Sequence, residues 1–305
     1  MTTAGWIIEQ MESWAALDLA EEWDNVGLLV GDELQPVKKI LIALDLTDDV
    51  LEEAITKDCD FVICHHPPLF NPVNRIVSTD SVGRKIIGLI SNGIGLYCAH
   101  TNLDKAVGGV NDCLAKALYF EADGALMDSL PNALLDKKAT VSFPEESIAE
   151  IHPLQNDGSF EKDTVPPLKS NVGFGRIVHC SEPIRLIELV EHVKKSLNLH
   201  DIRYAGDADT LITTVGLCAG SASEPRFLEA AKKKGCQVYI TGDLRYHIVQ
   251  GALDMGLSLI DVTHYSGEVL VIPAIVEYLR KKAKESNIEL LVYESSVDGQ
   301  VFKTF

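Results

Sequence analysis

Two adjacent histidines, His65-His66, close an apolar run that begins at Asp60-Phe61-Val62 and gives way to Pro67-Pro68. Phe61 to Cys64 reads as a short buried strand, four apolar residues between polar or proline boundaries. Side chains alternate faces along a strand, so neighbouring histidines at its end point in different directions. They are poorly placed to chelate one ion together, but each can serve one of two neighbouring ions. An isolated His-His pair is most often a surface feature, and its weight here comes from what recurs downstream. His100-Thr101-Asn102-Leu103-Asp104 follows the apolar run Gly93 to Ala99, and His264 with Glu268 follows Leu257 to Thr263. The resulting constellation is His65, His66, Asp104, His264 and Glu268, with His100 nearby. Imidazoles and carboxylates without thiolates suit Zn²⁺, Fe²⁺, Mn²⁺, Co²⁺ or Ni²⁺. Five or six ligands exceed what one catalytic ion with an open position takes, and match two ions sharing a carboxylate or a water.

The elements that carry these residues have α/β periodicity. Trp6 to Leu19 has helical spacing, and Glu21 to Asp32 reads as a turn and a short strand, with Asp24-Asn25 forming the corner and Trp23 capping the core. Lys39 to Asp45 is a buried strand, and Thr47 to Lys57 a helix capped by Thr47 or Asp48. With the His-His strand they form a parallel, right-handed crossover unit. Ser81 to Asn92 and Val110 to Leu118 are further helices, and Gly93 to Ala99 is a strand running into His100. Ligand-type residues at two independent strand ends fit the rule that function gathers at the carboxyl edge of parallel sheets.

The chain then repeats itself. Phe227 to Thr241 lies over Val50 to Cys64 at a constant offset, each running helix, turn, Cys, strand. Leu257 to His264 parallels Gly93 to His100, and both copies carry His-x-x-x-acid. Where the first copy has His65-His66, the second has Gly242-Asp243, and Asp243, Arg245, Tyr246 and His247 read either as a substrate-facing lobe or as a helix cap. The duplication implies two similar α/β layers related by a pseudo-twofold axis, with largely parallel sheets and flanking helices. His179, His192 and His200 read as structural or solvated, Cys64 and Cys98 as core, and His152 as an exposed loop residue within the Pro-rich acidic stretch 144–169.

Composition limits the function classes. The chain has 305 residues, 46% hydrophobic and 24% charged, which is ordinary for one large or two medium domains. A formal charge of −18 argues against nucleic acid or an anionic membrane as a direct partner, so an anionic substrate needs local positive charge such as a metal. Arg75, Arg84 and Lys105 are the cations nearest the motifs and read as exposed; no phosphate-binding P-loop is present. Seven cysteines without a Cys-x-x-Cys pair read as free thiols in a reducing compartment. Neither a signal peptide nor a membrane span is expected, and the expected setting is the cytoplasm, with a nuclear pool left open.

Trp23-Asp24-Asn25-Val26-Gly27-Leu28, His65-His66-Pro67, His100-Thr101-Asn102-Leu103-Asp104, Thr241-Gly242-Asp243 with Tyr246-His247, and Asp261-x-x-His264-Tyr265-x-x-Glu268 together resemble the Nif-three-like family. Its members are widely labelled GTP cyclohydrolase 1 type 2 homologues. The resemblance runs almost from end to end. It implies a first α/β domain, 1–125, completed by 255–305, a second over 126–254 with 144–169 an irregular surface loop, and a toroidal homohexamer with metal sites facing an internal cavity. It also implies a dinuclear centre on His65, His66, Asp104, His264 and Glu268, with His100 at a further site position and a candidate general acid or base. The implied activity is metal-dependent hydrolysis of a nucleotide or related heterocycle, with GTP ring-opening and formate release as the labelled reaction. The alternative is a metal-binding regulatory factor that acts through protein partners without fast turnover. Thr263 departs from the family, which usually has glycine there.

Overall fold

Alternating strand residues divide the chain's apolar side chains among three cores. In the strand Phe61–Cys64, Phe61 and Ile63 face a large central core, while Val62 and Cys64 face an outer one beneath the helices Asp48–Thr56 and Ser81–Ser91. In the computed structural model, which describes residues 2–129 and 172–303, this strand sits in a five-stranded sheet. Leu291–Glu294, Lys39–Ala43, Phe61–Cys64 and Gly95–Cys98 run parallel, and Gly27–Val30 closes the edge antiparallel.

The second sheet has six strands. Its centre, Leu211–Leu217, Val238–Thr241 and Ser258–Asp261, is parallel; Gly124–Asp128, Gly173–Arg185 and Arg203–Ala205 add antiparallel margins. The repeat is real in three dimensions. Helix Asp48–Thr56 and strand Phe61–Cys64 correspond at one constant offset to helix Pro225–Lys233 and strand Val238–Thr241. The central core draws side chains from both sheets, including Ile40, Ile63 and Tyr97 from the first and Val215, Ile240 and Ile260 from the second. Helices Ala4–Trp14, Val110–Ala117 and Val271–Glu285 contribute to the same cluster. The architecture is thus mixed α/β with two similar layers, the second less uniformly parallel than its pattern of apolar runs implies.

Two details differ from the sequence reading. Ser258–Asp261 pairs with Val238–Thr241, so the chain returns to the first layer only at helix Val271–Glu285, rather than near residue 255. Trp23 does not cap the core: it is 53% exposed, and the side chain of its turn that is fully enclosed is that of Asp24. Aromatic type alone suggested burial, but the polar neighbour has the stronger reason to be inside, because it accepts hydrogen bonds there. The stretch 144–169, with His152, lies outside the described residues. Among the described residues, no helix is long and apolar enough to cross a membrane.

Candidate metal centre

The carboxyl ends of both sheets meet. His65 and His66 leave strand Phe61–Cys64, and His100 follows strand Gly95–Cys98. His100 precedes the single helical turn Thr101–Lys105, while His264 opens the equivalent turn His264–Glu268. Each His-x-x-x-acid motif is therefore one turn of helix, which places residues i and i+4 on one face. The two halves touch where His66 Nε2 lies 3.2 Å from His264 Nε2.

Every histidine of the cluster has its Nδ1 held from behind. His65 Nδ1–H donates to the Ala99 carbonyl at 2.8 Å. His66 donates to Asp45 at 2.9 Å, His100 to Asp24 at 2.9 Å, and His264 to Asp243 at 2.8 Å. Fixing the proton on Nδ1 leaves Nε2 as the lone-pair nitrogen, the arrangement that outer hydrogen bonds impose on metal-binding imidazoles. Three triads then have ligand atoms within 4.8 Å of one another: His65, Asp104 and Glu268; His66, His264 and Glu268; and His65, His66 and His100. Glu268 joins the first two. Its Oε1 is 3.9 Å from His65 Nε2, and its Oε2 is 2.9 Å from Nε2 of both His66 and His264.

These approaches do not satisfy the atoms involved. His65 Nε2 and Glu268 Oε2 are buried and have no hydrogen-bond partner of good geometry among the described residues, although two imidazole nitrogens lie 2.9 Å from Oε2. An unsatisfied buried acceptor costs about 1–3 kcal/mol. Two such acceptors at the centre of converging imidazoles and carboxylates fit a divalent cation, which is recognised by electron pairs rather than by protons. The residues therefore suit a bound metal.

The electrostatics agree. Burial, outweighing the pull of Glu268, pushes His65 down to about 3, so it is a neutral ligand. Burial and the charge of Glu268 push Asp104 up to about 7. For Glu268 burial opposes ionisation, but the facing imidazoles prevail and hold it well below the usual carboxylate range. His66 and His264 are raised, to about 10 and about 9: burial works against their charge, and the neighbouring Glu268, Asp45 and Asp243 overcome it.

The five expected ligands and His100 all converge, whereas His179, His192 and His200 bond elsewhere, to Thr214, Leu118 and Asp201. Sequence reasoning missed the supporting groups. Asp45 sits just past the carboxyl end of its own strand, so the strand-edge rule could have found it. Asp24 read only as part of a turn; it also accepts from Thr101 N at 3.0 Å and from the Thr101 hydroxyl. Asp243 holds His264, and Arg245 precedes helix Tyr246–Asp254 without a side-chain cap, so the helix-cap reading fails for Arg245. Asn111 joins the layers, donating to the Asp104 carbonyl at 2.9 Å and accepting from Ala219 N at 2.9 Å. Gly220, at φ +71°, lets the backbone pass beside Glu268, whose Oε1 would be 2.1 Å from a Cβ there. Lys105 is not an exposed loop charge: its side chain is 8% exposed and its Nζ lies 2.5 Å from Glu21 Oε1.

A two-layer α/β protein with a histidine–carboxylate cluster between the sheet edges is the class that this geometry defines. The sequence model of Duf34/NIF3 (NGG1p interacting factor 3) matches residues 2–299, and the chain belongs to this family. It is 34% identical to a Clostridium perfringens protein named GTP cyclohydrolase 1 type 2 homolog, over 96% of each chain. Among solved structures, it resembles a Bacillus cereus protein related to NIF3, with TM-score 0.83 and 26% identity over 100% of this chain and 99% of that one. Reduced HcgD from Methanocaldococcus jannaschii is also similar, with TM-score 0.72 and 28% identity over 97% and 98% of the two chains.

Proposed function

We propose that the cluster holds two divalent cations, one on His65, Asp104 and Glu268 and the other on His66, His264 and Glu268, and that the protein is a metal-dependent hydrolase of a nucleotide or related heterocycle. The observation that supports this most directly is the pair of buried, unsatisfied acceptors, His65 Nε2 and Glu268 Oε2, at the junction of two ligand triads. Glu268 directs one oxygen toward each triad, as a shared carboxylate would. When bound, such ions supply Lewis acidity and lower the pKa of water. His100 has a different part in this reading. Its Nδ1 is fixed by Asp24, so its Nε2 can take or return a proton at the substrate while Asp24 stabilises the charged ring. The name of the Clostridium relative supports GTP as the first substrate to try, and the homohexamer implied by the resemblance is part of the same proposal.

The test is elemental analysis of protein purified without chelator, combined with a metal-reconstituted assay for formate release from GTP and light scattering for the hexamer mass. About two metals per chain with turnover support the hydrolase. His65→Ala should lose metal, whereas His100→Ala should keep it and lose turnover. Two metals without turnover on GTP or other heterocycles would shift the reading to a metal-binding interaction factor, and absence of metal would refute the site.

A further inference from the structure

Beside His100 stand two large aromatic side chains that the metal chemistry does not use. Trp23 is 53% and Phe70 44% exposed. Their rings meet edge to face at 5.8 Å, and each lies edge-on to His100, at 6.4 and 6.3 Å. Single exposed apolar residues are normal on any surface. This pair differs in that its backbone is anchored from both sides. Asp24 is enclosed and bonded to His100 and Thr101, and Asn25 Nδ2 donates to the Leu69 carbonyl at 2.6 Å, tying the Trp23 turn to the Phe70 loop. The rings are therefore held in place before anything binds, which reduces the ordering cost of binding. Two of the cations nearest the motifs are already paired, Lys105 with Glu21 and Arg84 with Asp48.

We propose that Trp23 and Phe70 are the ring-recognition part of the site and receive a planar heteroaromatic ring by stacking, with the ring's reacting edge toward His100. This inference rests on the reading that the site takes a heterocyclic substrate, and it names the residues that would select one. Aromatic faces bind bases with little dependence on their hydrogen-bonding pattern, so the polar specificity must come from elsewhere in the site.

Tryptophan fluorescence gives a readout independent of turnover, because Trp14 is 5% exposed and Trp6 packs against the central core. Guanosine is the probe and ribose the control that lacks an aromatic ring, both added to metal-loaded protein. The expected result is saturable quenching by guanosine and none by ribose. Trp23→Ala should abolish the quenching and weaken calorimetric binding about fivefold or more, with metal content unchanged. Trp23→Phe should lose the signal but keep the binding. Phe70→Ala, read by the same quenching, serves should Trp23→Ala fail to fold. Guanosine binding that is equal in wild type, Trp23→Ala and Phe70→Ala would overturn the proposal. So would a Trp23 that acrylamide cannot reach before ligand is added, since the face would then be covered by a second copy of the chain. Elemental analysis that finds no metal in protein whose Trp23 is still quenched by guanosine would refute the metal reading and leave the ring-binding residues standing.

Discussion

Replacing Thr263 with glycine should raise stability even though it removes a helix cap. Thr263 has φ 64° and ψ 159°, a conformation that glycine enters freely and a β-branched residue does not. Holding a non-glycine residue there costs about 1–3 kcal/mol. The compensation in the structure is modest. The Thr263 hydroxyl accepts from Ser266 N at 3.4 Å, a long cap, and donates to the Ser266 hydroxyl at 3.1 Å. Exchanging a threonine cap for glycine loses only a few tenths of a kcal/mol, and the greater freedom of unfolded glycine costs about 0.5–1 kcal/mol. The balance favours Thr263→Gly by about 1 kcal/mol. Thr263→Ala keeps the Cβ and its strain but loses the cap, so it should fall about 1 kcal/mol below wild type. Urea denaturation of chelator-treated protein measures both without a contribution from bound ions. The order glycine, threonine, alanine is expected; a glycine variant no more stable than the alanine variant would refute the strain argument.

Other predictions address the centre itself. Gly220→Ala would place a Cβ 2.1 Å from Glu268 Oε1 and should empty the site of metal by elemental analysis. Gly93→Ala, also at positive φ (+66°) but with open space around it, should lose stability and keep its metal. Asp243→Asn should lower metal affinity about 10–100-fold in equilibrium dialysis, because His264 loses its anionic support; affinity equal to wild type would show that this contact does not tune the ligand. Because His66 and His264 are raised above their ordinary range, metal binding at pH 8 must expel protons, and affinity must fall as pH falls. Their Nε2 atoms are 3.2 Å apart, which disfavours two full charges, so at least one proton per chain is expected. Calorimetric heats that do not vary with the buffer's ionisation enthalpy would count against this.

The candidate ligands were legible because strand ends and His-x-x-x-acid spacing are local properties. His65-His66 and the two motifs ending at Asp104 and Glu268 could be found without knowing what they meet, and the repeat showed that two similar layers would carry them. Trp23 shows the opposite case. Its burial depended on whether the turn's buried position went to the indole or to Asp24, and no local pattern encodes that choice. The layer boundary was misplaced for a related reason: Ser258–Asp261 reads as a strand, but which sheet it joins is set by its neighbour, Val238–Thr241.

The sequence by itself determined the donor chemistry, the α/β layers and the positions at which candidate ligands leave their strands, all of which follow from residue type and short-range periodicity. Tertiary structure decided how those donors act. Asp24 reaches His100 across 76 positions of the chain, and His66 meets His264 across 198. Contacts of that separation fix which imidazole nitrogen keeps its proton, which carboxylate stands between the two candidate triads, and which aromatic rings stay exposed beside the site. They are settled by packing between the two layers, which periodicity within either layer does not specify.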